Sequence, residues 1–273
     1  MMAPQILQTS VLILLPALGA LLAERSGILN IGVEGMIGFG AFTAILSIHF
    51  GASVPVAIFA GAVSGLIPAL IFNLFALRFA ANIFIVGLAL NLLSVGILPF
   101  FSELFFSTRG VVQISPAIAS LPYAVLVGIA VTWAFATWVI LYYTRFGLRV
   151  RIAGEESEWL RTRGVDPGRI RSMAMLFSGI SAGLAGALLS LRIGAYLPGI
   201  SAGRGWIALV VIYLGYRSVP GLVAAAVLFG SLDALAVRAQ ALLDVPPTIL
   251  LALPYVLTLV AFVTYSAFRT YSR

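Results

Sequence analysis

Lysine and cysteine are both missing from this chain of 273 residues, and histidine occurs once, as His49. A Walker-type phosphate loop needs its lysine to reach the terminal phosphates of a nucleotide, so ATP hydrolysis through such a site is excluded. Zinc, iron–sulfur and thiol chemistry lack their usual ligands and nucleophiles. Charge is scarce too: Asp, Glu, Lys and Arg make up 9% of the residues, where a soluble domain carries about 25%. No paired carboxylates at fixed spacing and no nucleophile–base arrangement stand out, so the chain does not read as an enzyme, and no cofactor is implied.

What the sequence has in quantity is apolar length. Hydrophobic residues make up 62% of it, and runs of about 20 of them recur almost end to end, as membrane-spanning helices require. The runs are continuous rather than alternating, which argues against a transmembrane barrel. The expected fold is an all-α polytopic membrane protein, one transmembrane domain over 1–273 with eight or nine segments. They fall near 6–22, 31–50, 54–77, 83–106, 122–143, 173–191, 205–216, 219–237 and 248–268. The first run has no basic leader, so no cleavable signal peptide is expected.

All sixteen basic residues are arginine, and their placement orients the chain. The longest polar interruption, 144–171, holds Arg145, Arg149, Arg151, Arg161, Arg163, Arg169 and Arg171. Placing it in the cytoplasm brings Arg25, Arg78, Arg217, Arg269 and Arg273 inside as well. Arg109, Arg192, Arg204 and Arg238 are left outside. The N-terminus then lies outside and the C-terminus inside. The net charge of +7 follows from this bias, so nucleic acid is not needed to explain it. Segment 205–216 is short for a span and is read as one if Gly199–Arg204 extends it; as a re-entrant turn it would invert the two segments after it and move the C-terminus outside.

One segment breaks the rules of a lipid-facing helix. Ser26–Ala41 reads SGILNIGVEGMIGFGA, glycine-rich and carrying Asn30 and Glu34 at bilayer depth. An ionisable group there costs roughly 2.5–3.5 kcal/mol on insertion scales, and irregular backbone is tolerated only against protein or a water-filled cavity. Glu34 is therefore the leading candidate for a solute pathway, with Asn30, Asn82 and Asn91 behind it. The plainer role for Glu34 is to accept hydrogen bonds from backbone freed by the glycines. Asp233 poses the same choice. A second glycine-interrupted stretch, GAYLPGISAGRG at 194–205, starts from the opposite side after one span. Glycine-broken segments at matching places in oppositely oriented halves, about 6–106 and 173–268, are the pattern of an inverted repeat around a central site. Gly179, Gly183 and Gly186 with Ser190 form a small-residue stripe suited to close helix packing.

Within 144–171, Gly154, Glu155, Glu156 and Glu158 precede Trp159, Leu160, Arg161 and Arg163, with Gly164 closing the run. Acids first, bases last and a terminal glycine predict a short helix over 155–163, which Val165-Asp166-Pro167 then ends. Trp159 and Leu160 either enter a pocket on a partner protein or rest on the membrane while the arginines meet anionic headgroups.

The stretches ERSGILNIGVEGMIGFGAF, FGLRVRIAGE, GVDPGRIRSMAMLFSGISAGLAGALL and GRGWIALVVIYLGYRSVPGLVAAAVLFG resemble the permease subunits of ABC importers for simple sugars, nucleosides and branched-chain amino acids. The resemblance covers most of residues 20–232, and LN-x-G-x-EG after ERSG is closest to the nucleoside-type branch. It implies a bacterial inner-membrane importer of nucleosides or a related simple sugar. It also implies ATP-binding cassette subunits, a second and non-identical permease, and an extracytoplasmic solute-binding protein. The coupling helix would be the run holding Gly154, Glu155, Glu158, Trp159, Leu160, Arg161 and Gly164. Relatives tend to carry small residues near Trp159–Arg161, where this chain is bulky. The competing reading from the residues alone is a stand-alone secondary transporter or channel that relays ions through Glu34 and Asp233.

Overall fold

The computed structural model describes residues 2–114 and 121–242. The expected segment 248–268, with Arg269 and Arg273, lies outside the described residues. Six described helices are long and apolar enough to cross a membrane, and two more, Val33–His49 and Arg204–Leu214, are shorter. The chain is thus mainly helical.

Two helices form the centre. α1 (Met2–Arg25) and α9 (Pro167–Ile193) have apolar stretches 78% and 83% buried. Around them stand α2 (Val33–His49), α3 (Val54–Ser64), α4 (Leu66–Phe72) with the π-helical turn Asn73–Arg78, and α5 (Ile83–Phe106). α6 (Tyr123–Tyr143), α10 (Arg204–Leu214) and α11 (Val219–Leu242) complete the bundle. α5 and α6 are peripheral, 28% and 22% buried. α9 gets its central place from its glycines. A Cβ on Gly183 would lie 2.5 Å from the carbonyl of Gly61 in α3, and one on Gly179 2.5 Å from that of Gly65. A Cβ on Gly186 would collide with the carbonyl of Ile37 in α2. The stripe lets α9 sit against the backbones of α2 and α3, as small-residue seams do in membranes.

The ends of the helices define two sides. On one, Arg192 at the end of α9 donates to Leu121 O and stacks 4.0 Å over the ring of Tyr123, and reaches Gln8 at 3.5 Å. Here β1 (Val112–Gln113) pairs antiparallel with β2 (Ala195–Tyr196). On the other side, Arg217 bonds Glu24 and accepts at its carbonyl from Arg25 Nε, 2.9 Å. There also lie α7 (Arg145–Glu155) and α8 (Ser157–Thr162). Arg25, Arg171 and Arg217 gather on this side, as the charge bias expects. Segment 205–216 is helical over most of its length: turns at 197–203 lead from β2 into α10, which ends at Leu214 just before Arg217.

One expectation changes. The helix expected over 155–163 is divided: Glu155 ends α7, Glu156 leaves helical geometry, and α8 spans only Ser157–Thr162. Arg204 begins α10 beside the residues that hold Glu34.

Candidate functional site

α2 and α10 begin inside the bundle, and their first turns face each other across one carboxylate. Glu34 lies in the first turn of α2. Its Oε1 accepts from Ser201 Oγ at 2.6 Å and Gly203 N–H at 2.8 Å, and its Oε2 from Gly205 N–H at 2.7 Å. Helix starts leave N–H groups unpaired and carry partial positive charge, so an anionic acceptor suits the place. Gly205 must be glycine: a Cβ there would lie 2.6 Å from Glu34 N.

The opposite wall comes from α5. Asn91 Oδ1 accepts from Gly35 N–H and its Nδ2 donates to Ile31 O, both at 2.9 Å. One amide thus satisfies backbone on both sides of the helix start. Asn91 is eight residues into α5, about 12 Å along it, which places the site well within the bundle. Glu34, Asn91, Ser94, Ser201, Tyr196 and Trp206 line a cavity of about 430 Å³, together with apolar residues of α5 such as Leu92, Val95 and Pro99. That volume is within the usual range for small-molecule sites, roughly 300–1,000 Å³.

Of the four polar residues singled out in the sequence, Glu34 and Asn91 meet here. Asn30 does not line the cavity. It is fully buried, donates to Ser178 Oγ at 2.8 Å and accepts from Gly32 N–H at 3.1 Å. Asn82 lies apart as the N-cap of α5, accepting from Phe84 and Ile85 N–H. Asp233 accepts from Thr9 Oγ1 at 3.0 Å, away from the cavity. His49 packs edge-on against Phe106, ring centroids 4.9 Å apart. Sequence reasoning missed Ser201, Tyr196 and Trp206. The glycines around 199–205 marked the segment, but nothing local marked its partner.

The other notable region is the loop around α8. Trp159 is 54% exposed, with the Arg163 guanidinium 4.8 Å above its ring. Leu160 faces the other way and is buried, 4% exposed. The two apolar neighbours therefore do not present one surface. Glu158 and Arg161 pair at 3.2 Å on the exposed side. Gly164 has φ +71° and closes α8, and Asp166 caps α9 through Gly168 N–H at 2.8 Å. Gly154 sits where a Cβ would collide with the carbonyl of Arg25.

Helices that begin at a cavity inside an apolar bundle, with an arginine-rich loop on one side, are the frame of a membrane permease. The chain matches the family model described as branched-chain amino acid transport system / permease component over residues 2–262. It is 31% identical to the guanosine ABC transporter permease protein NupQ of Bacillus subtilis, covering 91% of this chain and 86% of the relative. It is 27% identical to the nucleoside ABC transporter permease protein NupC of Lactococcus lactis, covering 91% and 87%. An inward-facing ABC transporter described as of the metal-chelate type superposes with a TM-score of 0.60 at 17% identity, over 96% of this chain and 85% of that one. This chain belongs to that permease family. It is a multi-pass subunit of an ABC transporter in the bacterial membrane, which conducts solute rather than catalysing a reaction, and its relatives imply ATPase and solute-binding partners.

Proposed function

We propose that this permease imports nucleosides, driven by ATP hydrolysis on partner subunits, and that the Glu34 cavity forms one half of the pathway. The observation that carries this reading is the make-up of the cavity. Trp206, 41% exposed, offers an aromatic face to a base, and Ser94, Asn91 and Glu34 offer acceptors and donors to ribose hydroxyls. The Glu34 carboxylate already answers the positive ends of two helices, which suits an uncharged solute better than a phosphorylated one. The guanosine and nucleoside permeases among its relatives point the same way.

The exposed apolar residues Leu88, Leu92 and Val95 follow helical spacing along α5 beside the cavity. A second, non-identical permease covers this face and closes the pathway between the two chains. α8 docks on the ATPase through Trp159, Arg161 and Glu158, with Leu160 seating it on the permease. α2 and α10 are corresponding members of an inverted repeat, α1 corresponding to α9, in a bundle of eight or nine crossings. The pair rocks around the cavity as largely rigid halves.

The test is to co-express the chain with its neighbouring ATPase and permease subunits, reconstitute the complex with its solute-binding protein, and measure ATP-dependent uptake of labelled guanosine, adenosine and ribose. Uptake of nucleosides that ribose does not compete supports the reading. Uptake that needs no ATPase and follows a proton gradient rejects it.

A further inference from the structure

One side chain closes the base of the loop that carries α8. Arg171, in the first turns of α9, donates through Nη2 to Ala153 O at 3.0 Å and through Nε to Ser26 O at 3.2 Å. Ala153 lies near the end of α7, just before α8, and Ser26 is the first residue past α1. The entry and exit of loop 154–170 are therefore tied by one guanidinium to the connection between α1 and α2. The packing there leaves no slack. A Cβ on Gly27 would lie 3.3 Å from Gly154 Cα and 3.7 Å from Arg171 Nη2, and Gly27 itself has φ +91°. The nearby Arg25–Glu155 pair, 4.0 Å apart with Glu155 74% exposed, adds little of its own.

From Ser26 the backbone reaches Glu34 in eight residues, and the polar groups on the way are bonded inward. Ser26 Oγ donates to Ala23 O at 2.7 Å, Asn30 is held between Ser178 and Gly32, and Ile31 O is held by Asn91. Ser26 and Asn30 are both fully buried. A segment held at these points by buried hydrogen bonds shifts as a piece rather than stretching.

We propose that Arg171 is the positioning residue that couples the docking helix to the cavity. It keeps loop 154–170 in one piece and passes its displacement through Ser26–Gly32 to Glu34. This rests on the reading of α8 as the ATPase-docking helix. Each guanidinium bond goes to a backbone carbonyl, so the fork geometry matters as well as the charge, and lysine cannot serve both acceptors in the same way.

The chain has no cysteine of its own, so Trp206→Cys supplies a single reporter in the cavity wall. Its reaction with a water-soluble maleimide is followed in the detergent-purified permease, alone and with the ATPase subunits. Adding Arg171→Ala is expected to change the labelling rate of the permease alone at least about threefold. In the otherwise unmodified complex, Arg171→Ala is expected to lower uptake at least about tenfold while ATP hydrolysis stays within about twofold. Arg171→Lys should fall between. Gly154→Ala, which forces the Arg25 carbonyl away while leaving Arg171 intact, should uncouple in the same sense. An unchanged labelling rate, an unchanged ratio of uptake to hydrolysis, or a parallel fall of both overturns the proposal. If the ATPase never binds the parent permease, the docking reading fails instead, and the labelling rate alone decides whether Arg171 controls the cavity.

Discussion

Replacing Glu34 with glutamine removes one charge and swaps one oxygen for an amide nitrogen, with almost no change in volume. The carboxylate accepts three hydrogen bonds, from Ser201 Oγ at 2.6 Å and from the N–H groups of Gly203 and Gly205 at 2.8 and 2.7 Å. The remaining oxygen of Glu34→Gln can keep Ser201 and Gly203, but the introduced NH₂ then faces the Gly205 N–H, donor against donor. Hydrogen bonds to a charged group are worth about 1.5–3 kcal/mol and neutral ones about half that. One bond lost and two weakened amount to about 3 kcal/mol, roughly a hundredfold in the equilibrium that keeps 201–205 docked on α2. The assay is ATP-dependent nucleoside uptake in proteoliposomes, normalised to inserted protein, beside the unfolding temperature in detergent. Uptake should fall at least about tenfold and unfolding should come several degrees earlier, with normal membrane insertion. Wild-type uptake and unfolding in Glu34→Gln would refute the argument. A fall in uptake merely proportional to the protein recovered would confine Glu34 to scaffolding.

The two amides at the ends of the argument should separate. Asn91→Ala strips backbone at Ile31 and Gly35 of its partners and should lower nucleoside uptake about tenfold or more. Asn82→Ala should cost only about 1 kcal/mol in unfolding measurements, as a lost N-cap does, and leave uptake near normal. Trp159→Ala should leave insertion and unfolding unchanged yet reduce ATPase stimulation by the permease severalfold in the reconstituted complex. Leu160→Ala, at a buried position, should destabilise the permease by about 2–5 kcal/mol in the same unfolding assay. Gly183→Val should abolish recovery of folded protein from membranes, measured by fluorescence-detected size exclusion, because its Cβ would lie 2.5 Å from the Gly61 carbonyl.

The bilayer makes some of this architecture legible in the sequence. Long apolar runs can only be helices in lipid, so the six long spans were readable from composition. Gly-Val-Glu-Gly around Glu34 stood out because it has no place against acyl chains. The glycine stripe of α9 was readable for the same reason, since 3.6-residue spacing of small residues has one obvious use. What was not legible depended on distance along the chain or on helix phase. Glu34 and Gly203 are 169 residues apart, and no local pattern joins them. Asn82 and Asn91 look alike as isolated amides in an apolar setting, and only the fold separates the helix cap from the cavity wall. Six residues of α8 are too few for a pattern to say which of Trp159 and Leu160 faces out.

Arg204 shows most clearly what counting charges leaves out. The positive-inside rule weighs arginines in loops near the ends of spans, and an unassigned stretch after β2 reads as such a loop. Here that stretch folds into consecutive turns, with Ile200 N–H on Leu197 O, Ala202 N–H on Gly199 O and Arg204 N–H on Ser201 O, and Arg204 Nη1 donates to the carbonyls of Ile200 and Ser201 at 3.4 and 3.2 Å. Those bonds turn its charge onto the short stretch that also supplies Ser201 and Gly203 to Glu34. The guanidinium takes carbonyls of this backbone and the carboxylate takes its N–H groups. A chain that leaves its helical hydrogen bonds inside a bundle frees N–H and C=O groups together, and here two side chains of opposite charge divide them. The charges of Glu34 and Arg204 thus share the freed backbone of 200–205 between them, beside the cavity that Glu34 and Ser201 line.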